Sequence, residues 1–222
     1  MKQTWLWWSS GKDSAWTLHV LRQQQEFEVS SLVTTVNEAF ERVAMHAVRV
    51  ELLQRQAEAI GLPLQIVRIP HPCSNSEYEQ AVASLLDAAT QEDVRYMAFG
   101  DLFLQDVRQY REHMLNGSGI RPIFPLWDMN TSQLSRTMVR EGLRAYTTCI
   151  DPRCLSKDFI GCEYDSSFLD KLPERVDPCG ENGEFHTFAF AGPMFSRSIR
   201  VTPGEVAERE GFVFSDLQIA GT

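Results

Sequence analysis

Apolar and polar positions alternate along the first two-thirds of the chain in two distinct rhythms. Trp5-Leu6-Trp7-Trp8 is a short apolar run that stops at the polar loop Ser9-Ser10-Gly11-Lys12-Asp13-Ser14, which suits a buried strand feeding a turn. Over residues 14–25 the apolar positions Ala15, Leu18 and Leu21 fall three apart, one face of a helix. Residues 29–36, rich in Val, Thr and Leu, predict a second strand. Val43, Ala47, Val50, Ala57 and Ile60 predict a long amphipathic helix, stopped by Gly61 and Pro63. Met45 and His46 on that helix are read as packing or solvated residues. Residues 64–69 form a third strand. A turn over 70–75 caps a helix whose buried stripe is Tyr78, Val82, Leu85, Leu86 and Ala89. A fourth strand at 96–99 runs into Gly100-Asp101. Beyond it lie a helix near 104–115, a short edge segment at 122–126, a helix at 132–141 and a strand at 143–149.

Repeated strand–helix–strand units predict an α/β fold, a doubly wound parallel sheet covered by helices on both faces. After Cys149 the texture changes. Pro173, Pro178, Pro193 and nearby glycines interrupt it, and the apolar runs become short and β-like. This divides the chain into a nucleotide-binding region, 1–149, and a smaller α+β region, 150–222, that supplies substrate contacts or a lid.

Composition changes this picture little. The 222 residues carry 43% hydrophobic and 23% charged side chains, ordinary for a globular chain. No apolar run reaches the roughly 20 residues a membrane helix needs, and the start is too short for a signal peptide, so a cytoplasmic enzyme is expected. A net charge of −9 disfavours an extended nucleic-acid surface. Cys73, Cys149, Cys154, Cys162 and Cys179 include no Cys-x-x-Cys pair and are read as packing thiols.

The chemistry is expected in the loop 9–14. It follows the first strand and opens the first helix, where backbone N–H groups and the helix dipole favour phosphate. Gly11 allows close approach, Ser9, Ser10 and Ser14 offer hydroxyls, and Lys12 adds charge. Asp13 would repel phosphate unless it shares Mg2+ with it. Leu6 and Asp13 stand where a Gly-x-x-x-x-Gly-Lys-Ser/Thr loop needs Gly and Ser or Thr, and the dinucleotide fingerprint is absent.

What remains resembles the Ser-Gly-Gly-x-Asp-Ser pyrophosphatase loop of the PP-loop, or N-type, ATP pyrophosphatases, with Ser10 in place of the first Gly. That departure matters if position 10 needs a positive φ. Phe99-Gly100-Asp101-Leu102, Pro125-Leu126-Trp127 and Cys179-Gly180-Glu181-Asn182-Gly183-Glu184-Phe185-His186-Thr187-Phe188 extend the resemblance to the diphthine–ammonia ligase family.

The resemblance implies a PP-loop, Rossmann-like fold and an ATP-dependent ligase. Such an enzyme adenylates a carboxylate, releases pyrophosphate and transfers ammonia. Ser9, Ser10, Gly11, Ser14 and Gly100 would then contact the nucleotide, and the backbone of Thr34, Thr35 and Val36 would read adenine. Asp13 and Asp101 would hold Mg2+. Lys12, Glu181, Glu184 and His186 would complete catalysis around ammonia and a carboxylate-bearing acceptor, either a protein side chain or a small metabolite. Arg108, Arg111 and Glu112 read equally as an ordinary helix-surface ion pair. The alternatives are a tRNA-modifying PP-loop enzyme, disfavoured by the acidic charge and absent Cys-x-x-Cys, and a non-catalytic ATP/AMP sensor. Residues 122–127 and the C-terminal strands are candidates for a homodimer contact.

Overall fold

The computed structural model describes residues 1–39, 42–43 and 48–220; Met45 and His46 lie outside the described residues. The chain runs β1 (Lys2–Trp7), α1 (Lys12–Gln24), β2 (Phe27–Asn37), β3 (Arg42–Val43), α2 (Val50–Ile60), β4 (Leu64–Ile69) and α3 (Asn75–Gln91). It continues through β5 (Tyr96–Ala98), α4 (Gln105–Met114), β6 (Arg121–Ile123), α5 (Thr131–Arg140) and β7 (Arg144–Ile150). The remaining elements are α6 (Ser166–Lys171), β8 (Phe185–Ala191), β9 (Val201–Arg209) and β10 (Phe212–Ile219).

The parallel sheet is confirmed. β2, β1, β5 and β6 lie side by side, and β4 joins on the outer side of β2, every one of these pairings parallel. Chain order therefore reverses at β1, with β2 on one flank and β5 on the other. The crevice beyond the carboxyl ends of β1 and β5 is the switch point where such sheets take ligands. The alternation of β1 explains why its aromatic run is continuous. Trp5 and Trp7 face one core with Val33, Met97 and Phe99, while Leu6 and Trp8 face the other with Leu18, Leu32 and Val36.

The helix expected from Val43 starts only at Val50. Arg42–Val43 instead pairs antiparallel with the end of β2, and Val43 N–H donates to the Val48 carbonyl at 2.9 Å. Both valines are buried, and Val43, expected on the helix, lies in a short strand instead, while Ala47 lies outside the described residues. The Ser74 cap is present as a full capping box with Glu77.

The second sheet is antiparallel, in the order β8–β7–β10–β9. It takes in Arg144–Ile150, a strand upstream of the change of texture at residue 150, because β7 finds its partners in β8 and β10. α1 lies between the sheets, packed on both β2 and β8, and the core on the Leu6 side of β1 runs on into the second sheet. Arg22 closes this seam by donating to the carbonyls of Met194 and Ile60. The 122–127 stretch turns inward: Leu126 is fully buried and Phe124 stacks on Phe99. No described helix is long and apolar enough to cross a membrane.

Candidate active site

Ser10 answers the question its sequence position raises. Its φ is 70°, the left-handed region that a glycine at this position would occupy without strain. The conformation aims its carbonyl into the protein, where it accepts from Ala189 N–H and Gln56 Nε2, each at 2.9 Å. Its hydroxyl is buried without a hydrogen-bond partner and does not line the cavity. Ser10 is thus an anchor of the loop rather than a wall of the site. Ser10→Gly removes both the strain and the orphaned hydroxyl, against the entropic cost of glycine. A net gain of about 1 kcal/mol in unfolding free energy is expected by denaturant titration. An unchanged or lower value would mean the left-handed turn is not under strain.

The rest of the loop is held from the second sheet. Lys12 N–H donates to Thr187 Oγ1 at 3.1 Å, and Ser9 and Ser14 hydroxyls meet at 3.2 Å. Gly11 caps α1 with no side-chain bond, leaving the first turn open toward the cavity. Gly100 is required by close approach. A Cβ there would stand 3.1 Å from the Asp13 carbonyl carbon and Ser14 nitrogen, so the end of β5 touches the backbone of α1 directly.

The cavity at this crevice has a volume of about 190 Å3 and is bounded by Trp7, Ser9, Lys12, Asp13, Gly100 and Asp101 on the first-sheet side. Gly11, Ser14 and Phe99 also line it, and Arg111, Gly180, Glu181, His186 and Thr187 stand among the residues across from them. Most of the expected site residues therefore meet in one place. Lys12, 2% exposed, does not point outward. Its ammonium binds both Asp13 oxygens (3.0 and 2.7 Å) and the Cys179 carbonyl, and lies 5.5 Å from the ring centres of Tyr164 and Phe185. Asp13 and its other anionic neighbours keep that ammonium charged despite burial, while burial pushes the Asp13 carboxyl above its ordinary value.

Glu181 spans the crevice. Its Oε1 accepts the backbone N–H of Leu102 at 2.7 Å and of Phe103 at 3.4 Å, tying the C-terminal region to the end of β5. Glu184 is not brought to the cavity. Its Oε1 accepts from Asp177 N–H and Asn182 Nδ2 at 3.0 Å each, which shapes the turn that presents Glu181. Thr34, Thr35 and Val36 lie on β2 beside β4 and are also absent from the lining. Thr187, Gln56 and Trp7 carry weight that sequence reasoning did not assign; only Thr187 lay inside a motif that drew attention.

Among the described residues no group of three or more His, Cys, Asp or Glu is arranged to hold a metal ion. The donors present nonetheless fit Mg2+ arriving with a polyphosphate, which needs only one or two carboxylates from the protein. Asp13 stands in the first turn of α1, where its carboxylate, held by Lys12, keeps lone pairs for a metal, and Asp101 Oδ2, ion-paired with Arg111 at 3.5 Å, has no hydrogen-bond partner.

Two titratable groups pull stability in opposite directions with pH. Burial raises Glu181 from 4.5 to about 7, with Asp13 and Asp101 adding to the rise. Burial lowers His186 from 6.5 to about 4, with Lys12 adding to the fall. The folded state thus holds the Glu181 proton longer than the unfolded chain, so this group's stabilisation is full below pH 4.5 and lost by about pH 7. His186 does the reverse: its share is full above pH 6.5 and lost as pH falls toward 4. Glu181→Gln should leave only the second effect, so the difference in Tm between variant and wild type grows in the variant's favour from pH 4.5 to 7. A pH-independent difference would show that Glu181 titrates normally.

Comparison with known proteins matches residues 1–122 to the diphthamide synthase N-terminal domain and residues 130–218 to the diphthamide synthase C-terminal domain. The chain is similar to diphthine–ammonia ligase of Homo sapiens, 27% identical over 177 residues, spanning 72% of this chain and 66% of that protein. The Mus musculus enzyme is 25% identical over 179 residues with the same coverage, and that of Bos taurus 25% over 236 residues, spanning 94% of this chain and 86% of the relative. A solved Methanocaldococcus jannaschii chain, titled a predicted subunit of tRNA methyltransferase, aligns over 84% of this chain and 96% of its own. The two share 15% identity with a TM-score of 0.41.

Proposed function

The chain belongs to the diphthamide synthase family, and on that premise we propose that it is an ATP-dependent amide ligase that adenylates a carboxylate and transfers the acyl group to ammonia. The observation that carries this reading is the single cavity shared by the loop after β1, the end of β5 and the 179–187 segment. A phosphate site alone would need only the first of these.

The carboxylate is a poor electrophile because its charge repels nucleophiles. Its oxygen attacks the α-phosphorus of ATP, pyrophosphate leaves, and the acyl-adenylate is neutral at the reacting carbon. Ammonia then forms the C–N bond, the C–O bond to AMP breaks, and a proton passes to a base. Ser9, Gly11, Ser14 and the open turn of α1 bind the phosphates. Asp13 and Asp101 hold Mg2+, which when bound screens the phosphate charge. Glu181, with a pKa of about 7, is matched to take the ammonium proton near neutral pH, and His186 stays neutral beside it. Lys12 acts through Asp13, fixing its carboxylate. Thr34, Thr35 and Val36 lie outside the cavity lining, so an adenine contact there requires the base to extend beyond the enclosed space.

Within this reading, the first sheet binds nucleotide and the region after residue 150 closes the site. The acceptor is a carboxylate on a protein side chain or a small metabolite, with diphthine the first to test because the relatives carry its name. Five unpaired cysteines agree with a cytoplasmic setting. A homodimer contact would draw on the half-buried 122–127 stretch or on the C-terminal strands, where Val206 is 57% exposed. The deciding experiment supplies ATP, Mg2+, ammonium and candidate carboxylates and follows AMP and pyrophosphate. Acceptor-dependent AMP is the expected product; ADP and phosphate would overturn the proposal.

A further inference from the structure

Trp7, Phe99 and Arg111 form one wall of the cavity, and a row of stacked rings with a second arginine, Arg108, continues from it outside the lining. On α4, Arg111 lies over Trp7 and Phe99, its guanidinium carbon 5.5 and 5.1 Å from their ring centres. Three residues earlier, Arg108 lies over Phe124 and Trp127 at 5.0 and 4.7 Å. The rings form a continuous row, with Trp7 stacked on Phe99 at 5.9 Å and Phe99 on Phe124 at 5.6 Å. A guanidinium stacked on aromatic faces is oriented by them, yet its N–H donors lie in its own plane and still need acceptors.

Arg111 lacks such an acceptor at one position. Its Nε is buried without a hydrogen-bond partner, and so is Asp101 Oδ2, which stands 3.5 Å away, beyond good hydrogen-bond distance. Arg108, by contrast, has its Nε bonded to Glu112 at 2.8 Å. Arg111 is ion-paired with Asp101 and also meets Tyr78, but the Asp101 contact is long enough that an acceptor on a ligand in the cavity would complete it. The Asp101 pair bears on which anion Arg111 suits. Its carboxylate offsets much of the arginine's charge, which suits a singly charged group better than a polyphosphate. The phosphates have their own turn across the crevice, after β1.

We propose that Arg111, with Arg108 beside it on the ring wall, receives the carboxylate of the acceptor. This rests on the ligase reading and names the part of the site that reads its second substrate. The class it selects is a monocarboxylate with a flat or apolar flank, since the ring row runs on from Phe99 to Phe124 and Trp127, both half-buried.

Trp7 and Trp127 lie under the two guanidiniums, so binding is readable by tryptophan fluorescence without turnover. Wild type should bind imidazole-4-acetate, a flat monocarboxylate, with α,β-methylene-ATP already bound. Arg111→Met should weaken the probe about tenfold or more while leaving the affinity for the ATP analogue within about twofold. Should Arg111→Met not fold by circular dichroism, Arg111→Lys keeps the charge, loses the planar fork and should still weaken the probe selectively. No probe binding by wild type, equal probe binding by the variant, or parallel loss of the ATP analogue would each overturn the assignment, the last by giving Arg111 to a phosphate. Failure of the ligase reading would appear separately, as no AMP with any acceptor.

Discussion

Asp13→Asn should lower AMP formation at least ~10³-fold, about 4 kcal/mol of transition-state stabilisation, while the far-ultraviolet circular dichroism stays that of the wild type. Asp13 sits in the first turn of α1, where the helix dipole and open N–H groups attract anions. A carboxylate there opposes phosphate unless a cation stands between them. Lys12 is not that cation, because its ammonium is turned inward to Asp13 and the Cys179 carbonyl. Asparagine keeps the size and one acceptor for Lys12 but loses the charge. The variant should therefore bind ATP without Mg2+ as tightly as wild type or more so, and lose the benefit of added Mg2+. Equilibrium titrations with and without Mg2+ check this reversal. Full turnover by the variant would remove Asp13 from the machinery. Lys12 would also be left buried without its counter-charge, so a stability loss of up to about 3 kcal/mol is expected alongside.

What could be read from the chain divides along sequence distance. β1, β4 and β5 were visible because each is a short apolar run bounded by turn residues, and the loop 9–14 because its residues are contiguous. The reach of Glu181 across to Leu102 was not visible, nor was the bond from Thr187 to Lys12, 175 residues away. Neither leaves a periodic trace. Lys12 is the clearest case: a lysine in a phosphate loop suggests a phosphate ligand, and only the Cys179 carbonyl and the faces of Tyr164 and Phe185, all distant in sequence, together with Asp13, explain why it turns inward. The fold-back at Arg42–Val43 was hidden for a different reason. Val43 and Val50 are spaced as on one helix face, and hydrophobic period alone cannot tell a helical position from a buried one in a short strand paired to β2. β7 was recognised as a strand but not as part of the second sheet, because pairing is decided by partners that come later in the chain.

The same distance argument gives the second large effect. Gln56 is a fully buried amide on α2 that touches no substrate position. It accepts from Trp8 Nε1 at 2.8 Å and donates to the carbonyls of Ser10 at 2.9 Å and Ala189 at 2.7 Å. One side chain therefore joins the end of β1, the left-handed turn of the loop and β8 of the second sheet. Gln56→Leu preserves volume but orphans the Trp8 indole N–H and removes one partner from each carbonyl. A loss of about 3 kcal/mol in unfolding free energy is expected. Because Ser10 keeps only the Ala189 N–H, the loop should also loosen, and affinity for α,β-methylene-ATP should fall about tenfold. Gln54→Leu, on the exposed side of the same helix, should change neither by more than about 0.5 kcal/mol. If Gln56→Leu were destabilised yet bound the nucleotide normally, the turn at Ser10 would be held by β8 alone and α2 would have no part in shaping the site. A matched loss in both measurements would instead tie the phosphate loop to the second sheet through an amide whose neighbours lie 46 and 133 residues away in sequence.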